Sequence, residues 1–307
     1  MASSAERSPP VSSDPGLPPP GTRPHRFDGA VPLRLGDVRY DLQRRVLLMG
    51  IVNRTPDSFY DHGAFFALDA ALHLAEDLVG AGADIIDVGG VRAGPGPEVG
   101  AAEEIDRVVP AIAAIRDRLG VPVSVDTWRA AVADASFEAG AVLGNDISGF
   151  GDPEYLTVAE RHGASVVATH MRLVPRLEDP DPVYPDGDVV AAVEHYLLER
   201  LARANAAGLE NDQVIFDAGL DLGKTTPQSL ELLGASARLA SLGPALLLSA
   251  SNKGFLGELL GLRVDERRDA SVSAAALGVC LGCRILRVHD VEAAGRAART
   301  VLAIMDR

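Results

Sequence analysis

Little in this chain suits a secreted, membrane-spanning or nucleic-acid-binding protein. Two cysteines in 307 residues are too few for a disulfide scaffold. No apolar run reaches the ~18–20 residues of a membrane span, and the first residues lack the basic-then-apolar pattern of a secretory signal. The expected compartment is therefore the cytoplasm, with no membrane partner. Positive charge is also scarce: 29 Lys and Arg face 43 Asp and Glu, a formal net charge of −14. Such a surface repels phosphate backbones and argues against a nucleic-acid partner, although it leaves room for a local basic pocket. The chain contains no H-E-x-x-H, G-x-S-x-G, Walker or Cys/His zinc spacing. Cys280 and Cys283 form a C-x-x-C pair in an apolar run at a helix–strand join, where packing is the ordinary role of free cysteine. Trp128 also reads as packing, and His73, His162 and His195 fall on helical patterns as solvated or capping residues.

What the chain does have is repetition. Eight short apolar runs each end in a polar or charged residue: VLLMGIVN at Asn53, ADIIDVGG at Asp87, VPVSVD at Asp126, AVLGND at Asn145 and Asp146, ASVVATH at His170, QVIFD at Asp217, ALLLSAS at Ser249 and Ser251 before Lys253, and CRILRVH at Arg287 and His289. Ala/Leu/Glu/Arg-rich stretches with helical spacing separate most of them. A β-then-α unit repeated eight times predicts an α/β protein built as a parallel (β/α)8 TIM barrel, whose strand ends converge on one mouth. Hydrophobic content of 47% is sufficient for such a core.

Residues 1–24 are Pro/Ser/Gly-rich and read as a disordered tail, which leaves 25–307 as one barrel domain. Within it, 25–45 alternates weakly around a Gly-Asp turn and suggests a hairpin closing the barrel bottom, with the barrel proper starting at Val46. Helices are expected at about 66–82, 102–119, 128–139, 153–162, 188–207, 227–240, 267–280 and 290–306, with Thr226 capping the sixth and Pro227 at its first position. The Pro- and Asp-rich stretch after His170 has no periodicity and is expected to be a binding loop or lid over the mouth.

Asp126, Asn145, Asp217 and Lys253 follow four different strands. Buried carboxylates need donors. A carboxylate beside an amide suits a heterocycle presenting N–H and exocyclic NH2 on one edge, as pterins and guanines do. Lys253 is placed to meet a ring carbonyl or ring nitrogen, and the planar Arg287 to stack on the ring. Asn53 and Thr55 after the first strand, His289 after the eighth, and Arg54 and Arg92 on the first two loops suit a diphosphate with Mg²⁺. Salt bridges among these groups at the mouth, and solvated loop charges for Arg54 and Arg92, are the plain alternatives.

In order, spacing and strand-end placement, MGIVNRTPDSF (49–59), DVGG (87–90), SVDT (124–127), ND (145–146), THM (169–171), FDAGLDLGKT (216–225), SASNKGFLG (249–257) and RVHDV (287–291) resemble dihydropteroate synthase. That family joins p-aminobenzoate to 6-hydroxymethyl-7,8-dihydropterin diphosphate with Mg²⁺ present, releasing pyrophosphate, and is usually dimeric. The resemblance implies a homodimer whose Asp126, Asn145, Asp217 and Lys253 grip the pterin. Arg287 would stack over it or touch phosphate, while Asn53 and His289 would hold metal and diphosphate. Asp126, Lys253 and Arg287 are the expected catalytic set.

Departures cluster in the loops. Glu-Ser-Thr-Arg-Pro-Gly of the family is here Val91-Arg92-Ala93-Gly94-Pro95-Gly96, and Asp-Pro-Gly-x-Gly-Phe is Asp217-Ala218-Gly219-Leu220-Asp221-Leu222. Ser-Arg-Lys is Ser251-Asn252-Lys253, and Arg54, Tyr60 and His62 replace small residues. The arginine and aromatic wall beside p-aminobenzoate are thus missing. Losing one group positioned on developing charge lowers a rate by ~10²–10³, so the sequence predicts a divergent homologue with a pterin site and weak or absent synthase turnover. The alternatives are a working synthase with Arg54 and Arg92 as substitutes, different chemistry on a pterin, and a non-catalytic pterin-binding or regulatory protein.

Overall fold

The computed structural model describes residues 31–54, 63–94, 96–177, 179 and 181–306. The tail, residues 25–30, Thr55, Tyr60, His62 and Pro95 lie outside the described residues. A hairpin of β1 (Pro32–Leu35) and β2 (Val38–Asp41) comes first. Eight strands then alternate with helices: β3 (Leu47–Asn53), α1 (Gly63–Gly80), β4 (Ile85–Gly89), α2 (Ala101–Leu119), β5 (Val123–Asp126), α3 (Ala130–Glu138), β6 (Leu143–Asp146), α4 (Tyr155–Arg161), β7 (Ser165–Thr169) and α5 (Val189–Ala206). The order continues through β8 (Val214–Asp217), α6 (Thr226–Gly234), α7 (Ser236–Ala240), β9 (Ala245–Leu248), α8 (Gly254–Leu260), α9 (Arg268–Cys280), β10 (Ile285–Val288) and α10 (Val291–Met305). Strands β3 to β10 pair in sequence, all parallel, and β10 closes on β3. The expected (β/α)8 barrel is therefore the observed one, and among the described residues no helix is long and apolar enough to cross a membrane.

The strands are continuous apolar runs because both faces are covered. Leu47 and Met49 of β3 point into the barrel with Ile85, Leu143, Val167, Ile215, Leu247 and Ile285, whereas Leu48 and Val52 face the helical layer. The hairpin delivers Leu33 and Leu35, with Leu42 just after it, into that inner cluster, plugging the barrel's N-terminal end as the sequence suggested. Arg39 of β2 anchors it through a 2.6 Å ion pair to Asp212.

Three helical features differ from expectation. The stretch 227–240 is two helices, broken at Ala235, whose φ/ψ of −87°/6° ends α6; Ser236 Oγ donates to the Leu233 carbonyl at 2.8 Å and turns the chain there. The cap of α6 is Thr225, one residue earlier than expected. Its hydroxyl accepts from Gln228 N, while Thr225 N donates to Gln228 Oε1, so Pro227 sits in the second helical position. Helix α8 was not expected, because seven residues are too few for helical periodicity to declare itself.

Candidate active site

Strand pairing puts Asn53 beside Gly89, Gly89 beside Asp126, and Asp126 beside Asn145 in one row at the C-terminal rim. At Gly89 a Cβ would lie 3.4 Å from Asp126 Cβ and 3.6 Å from Asn53 Oδ1, in ordinary van der Waals contact, so the side chains of the row pack closely around it. Beneath them Arg287, reaching in from β10, donates from Nε to Asp87 Oδ2 and from Nη2 to Asp126 Oδ2, both at 2.7 Å. Asn145 Nδ2 donates to the same Asp87 oxygen at 3.1 Å. One buried cation thus ties three strands, and Asp87, fully buried at its centre, organises the floor. The sequence reading placed Asp87 at a strand end but gave it no role. The available signal was an acid, two residues before a Gly-Gly pair, inside an otherwise apolar run.

Burial pushes the Asp126 carboxyl up to about 7; the Arg287 charge pulls it down and neighbouring Asp87 adds to the rise. Burial also works against the charge on Arg287, but Asp87 and Asp126 outweigh it and raise its pKa above the ordinary value. Arg287 is therefore a fixed cation, and its expected ring-stacking guanidinium is anchored to the floor by two carboxylates.

Asp217, at the tip of β8, accepts from Gly219 N at 2.7 Å. Burial raises its pKa, opposed by that N–H and by the charges of Lys253, Lys224 and Arg287. Lys253 immediately precedes α8, at its N-cap position; burial lowers its pKa, with Asp217 and Asp221 opposing. Asp126, Asp217, Lys253 and Arg287 thus lie within electrostatic reach of one another, with Asn145 joined to them through Asp87.

Lys224 had no expected role. Its ammonium donates to the carbonyls of Gly219 at 2.7 Å, Leu222 at 3.1 Å and His170 at 3.2 Å, tying the loop after β8 to the end of β7. Burial brings its pKa down to about 7. Gly219, at φ +64°, is required by the same close approach, since a Cβ there would sit 2.0 Å from the His170 carbonyl oxygen.

His289 Nδ1 lies 3.0 Å from Ser251 Oγ, joining the last two strand ends. Burial and the charges of Arg287 and Lys253 lower its pKa. A cavity of about 250 Å³ opens beside it, lined by Ser251, Asn252, Arg268, Ser271 and Asp290 among others. Its lining includes none of Asp87, Asp126, Asn145 or Asp217, so it flanks the acidic floor.

Several described loop residues are engaged within the protein. Arg54 Nε donates to the Arg107 carbonyl at 2.9 Å, committing that side chain toward α2, while Arg92 is exposed. The long stretch after His170 crosses to the loop after β4: Arg176 N donates to the Ala93 carbonyl at 3.1 Å, and Arg176 Nη2 reaches the carbonyls of Gly96 and Pro97. Its described residues are irregular apart from a short turn at Pro185–Gly187. Cys283 is buried and Cys280 half-buried, in keeping with packing roles.

Fold and rim together define a (β/α)8 barrel with a polar, charge-compensated floor at its C-terminal mouth. The model of the family described as pterin binding enzyme matches residues 49–289. A dihydropteroate synthase of Synechocystis sp. is 37% identical over 276 residues, covering 89% of this chain and 95% of the relative. A Mycobacterium leprae protein named inactive dihydropteroate synthase 2 is 43% identical over 264 residues, covering 85% and 91%. The solved dihydropteroate synthase of Yersinia pestis, determined with a sulfonamide drug complex, superposes with a TM-score of 0.84 at 36% identity, covering 90% of this chain and all of that one. The chain belongs to the dihydropteroate synthase family.

Proposed function

We propose that this chain binds a pterin or pterin-like heterocycle on the floor built by Asp126, Asn145, Asp217, Lys253 and Arg287, and that it condenses p-aminobenzoate weakly or not at all. The observation that carries the reading is the contrast within one mouth. The floor is an interlocked set of hydrogen bonds around Arg287, while the rim lacks the family's arginine and aromatic wall and Arg54 is bound to α2.

In this reading the carboxylates of Asp126 and Asp217 accept from the guanidine-like edge of the heterocycle, and Asn145 reads the adjacent ring atoms. Lys253 donates to the ring carbonyl or ring nitrogen, and Arg287 supplies a positive ring-facing surface. Asp126, Asn145, Asp217 and Arg287 are held by hydrogen bonds before ligand arrives, so orientation and exclusion of water are their contribution. Mg²⁺ fits only in part: among the described residues no group of three or more His, Cys, Asp or Glu is placed to hold a metal ion. Asn53 offers one hard amide oxygen at the rim, and a diphosphate would have to supply most of the remaining ligands, as Mg²⁺ commonly accepts. Asn53 would hold the ion and His289 the diphosphate, and the ion would neutralise charge on the departing group. The family relationship also makes a homodimer the expected assembly, to be checked by light scattering.

Relatives named simply dihydropteroate synthase, at 37–38% identity, favour a second reading in which turnover survives. One assay separates the two. Purified protein with dihydropterin diphosphate, p-aminobenzoate and Mg²⁺ is followed for pyrophosphate release, with Asp217→Ala as control. The expected outcome is pterin binding by calorimetry with turnover at least ~10²-fold below an ordinary synthase. Ordinary turnover that vanishes in the control refutes the weak-or-absent reading.

A further inference from the structure

Asp221 occupies a position built for something smaller. Its φ is +69°, in the left-handed region where glycine stands in the family pattern and where side chains other than Asn and Asp are strained. Three hydrogen bonds hold it there. Asp221 Oδ2 accepts from Gly254 N at 2.5 Å and Oδ1 from Phe255 N at 3.1 Å, and its own N–H donates to Ser229 Oγ at 3.1 Å. A carboxylate of this chain therefore sits on the first two N–H groups of α8, directly after Lys253. That is a place where the two N–H groups and the ammonium would together favour a negative group.

The charge change does not stop there. Asn252 stands where the resemblance gives an arginine; it too has positive φ, +58°, and its N–H is taken by Ser271 Oγ at 3.0 Å. Relative to the family pattern, the wall formed by the loops after β8 and β9 has gained a negative charge and lost a positive one. Asp221 and Asp217 both act electrostatically on Lys253, so the positive potential of that ammonium is already opposed from two sides. An aryl carboxylate approaching this wall meets a carboxylate in place of a cation, and like charges repel.

We propose that Asp221 sets the charge selectivity of the second-ligand pocket, so that the partner beside a bound pterin is an uncharged or cationic aryl amine and not an aryl carboxylate. This rests on the pterin reading above. It accounts for low use of p-aminobenzoate by a defined residue, and it makes the altered rim a changed specificity.

The test uses the full-length chain saturated with 6-hydroxymethylpterin and titrated calorimetrically with p-aminobenzoate, p-aminobenzamide and p-aminobenzamidine. The amide and amidine are expected to bind at least tenfold tighter than the benzoate. Asp221→Asn keeps an acceptor for an α8 N–H while removing the charge, and Asp221→Gly is unstrained at this φ. Both are expected to shrink that preference at least tenfold. A wild-type preference for the benzoate, binding of none of the three, or a preference unmoved in both variants overturns the proposal. Titration with the pterin alone comes first. No pterin binding refutes the pterin reading and this inference with it, whereas bound pterin with the wrong aryl order refutes this inference only.

Discussion

Removing Arg287 would leave Asp87 and Asp126 as neighbouring buried carboxylates with no cation between them. Truncating one partner of a buried pair generally destabilises by ~3–5 kcal/mol; the Arg287 side chain is 17% exposed, so the lower end applies. Arg287→Ala is expected to lower unfolding free energy by about 3 kcal/mol at pH 8 in urea titrations. The loss should diminish at pH 5, where Asp126 takes up its proton. A separate consequence concerns ligand. Because burial holds the free Asp126 carboxyl up to about 7, and a pterin edge needs it ionised, protons compete with the pterin. Pterin affinity is expected to fall as pH drops below about 7, by at most ~10-fold per unit, and Asp126→Asn should bind more weakly with a flatter profile. Calorimetry between pH 5.5 and 8.5 reads both. The effect on stability has the opposite direction. A carboxylate whose folded pKa exceeds its unfolded value of ~3.9 favours the folded state at low pH. That contribution is lost as pH rises from about 4 through about 7.

The loop after β8 is the element whose integrity decides the site. Lys224 fastens it through three carbonyls, and Gly219 passes its N–H to Asp217 under the His170 carbonyl. Gly219→Ala combines a left-handed φ, ~1–2 kcal/mol for an L-residue, with a backbone clash no side chain can relieve. It is expected to destabilise by about 2 kcal/mol or more and to abolish measurable pterin binding. Lys224→Met leaves three carbonyls without their donor and is expected to destabilise by ~1–3 kcal/mol while weakening pterin affinity, although Lys224 need not touch the ligand. Thermal melts with and without pterin separate the two effects. A Lys224→Met protein with full affinity would show that the loop is held by its other contacts.

At the scale of the molecule, the two ends of the barrel have different tasks. The hairpin seals the end opposite the mouth, with Leu33 fully buried and Leu35 nearly so. Leu33→Ala is expected to reduce stability by ~2–5 kcal/mol, read by urea unfolding, while pterin affinity at temperatures where the protein is folded stays within about twofold. A matching drop in affinity would mean that the two ends are coupled through the strands.

Much of this was legible from the chain alone. Parallel strands buried on both faces must be short apolar runs, so eight of them in alternation with helical stretches specify the barrel. The barrel's directionality then assigns Asp126, Asn145, Asp217, Lys253, Arg287, His289 and Asn53 to one rim without any coordinates. Short or locally determined features escaped: seven-residue α8, the break at Ala235, and the cap at Thr225 depend on a few local hydrogen bonds that leave no periodic trace. What tertiary structure alone decided is who meets whom across the rim. Asp87 and Arg287 are 200 residues apart, and only barrel closure brings a guanidinium to two carboxylates. Asp221 reads as an ordinary loop acid until α8 presents its N–H groups to it. Strand spacing fixes which residues reach the mouth, but the pairings there depend on directions set by closure, which no local stretch of sequence encodes.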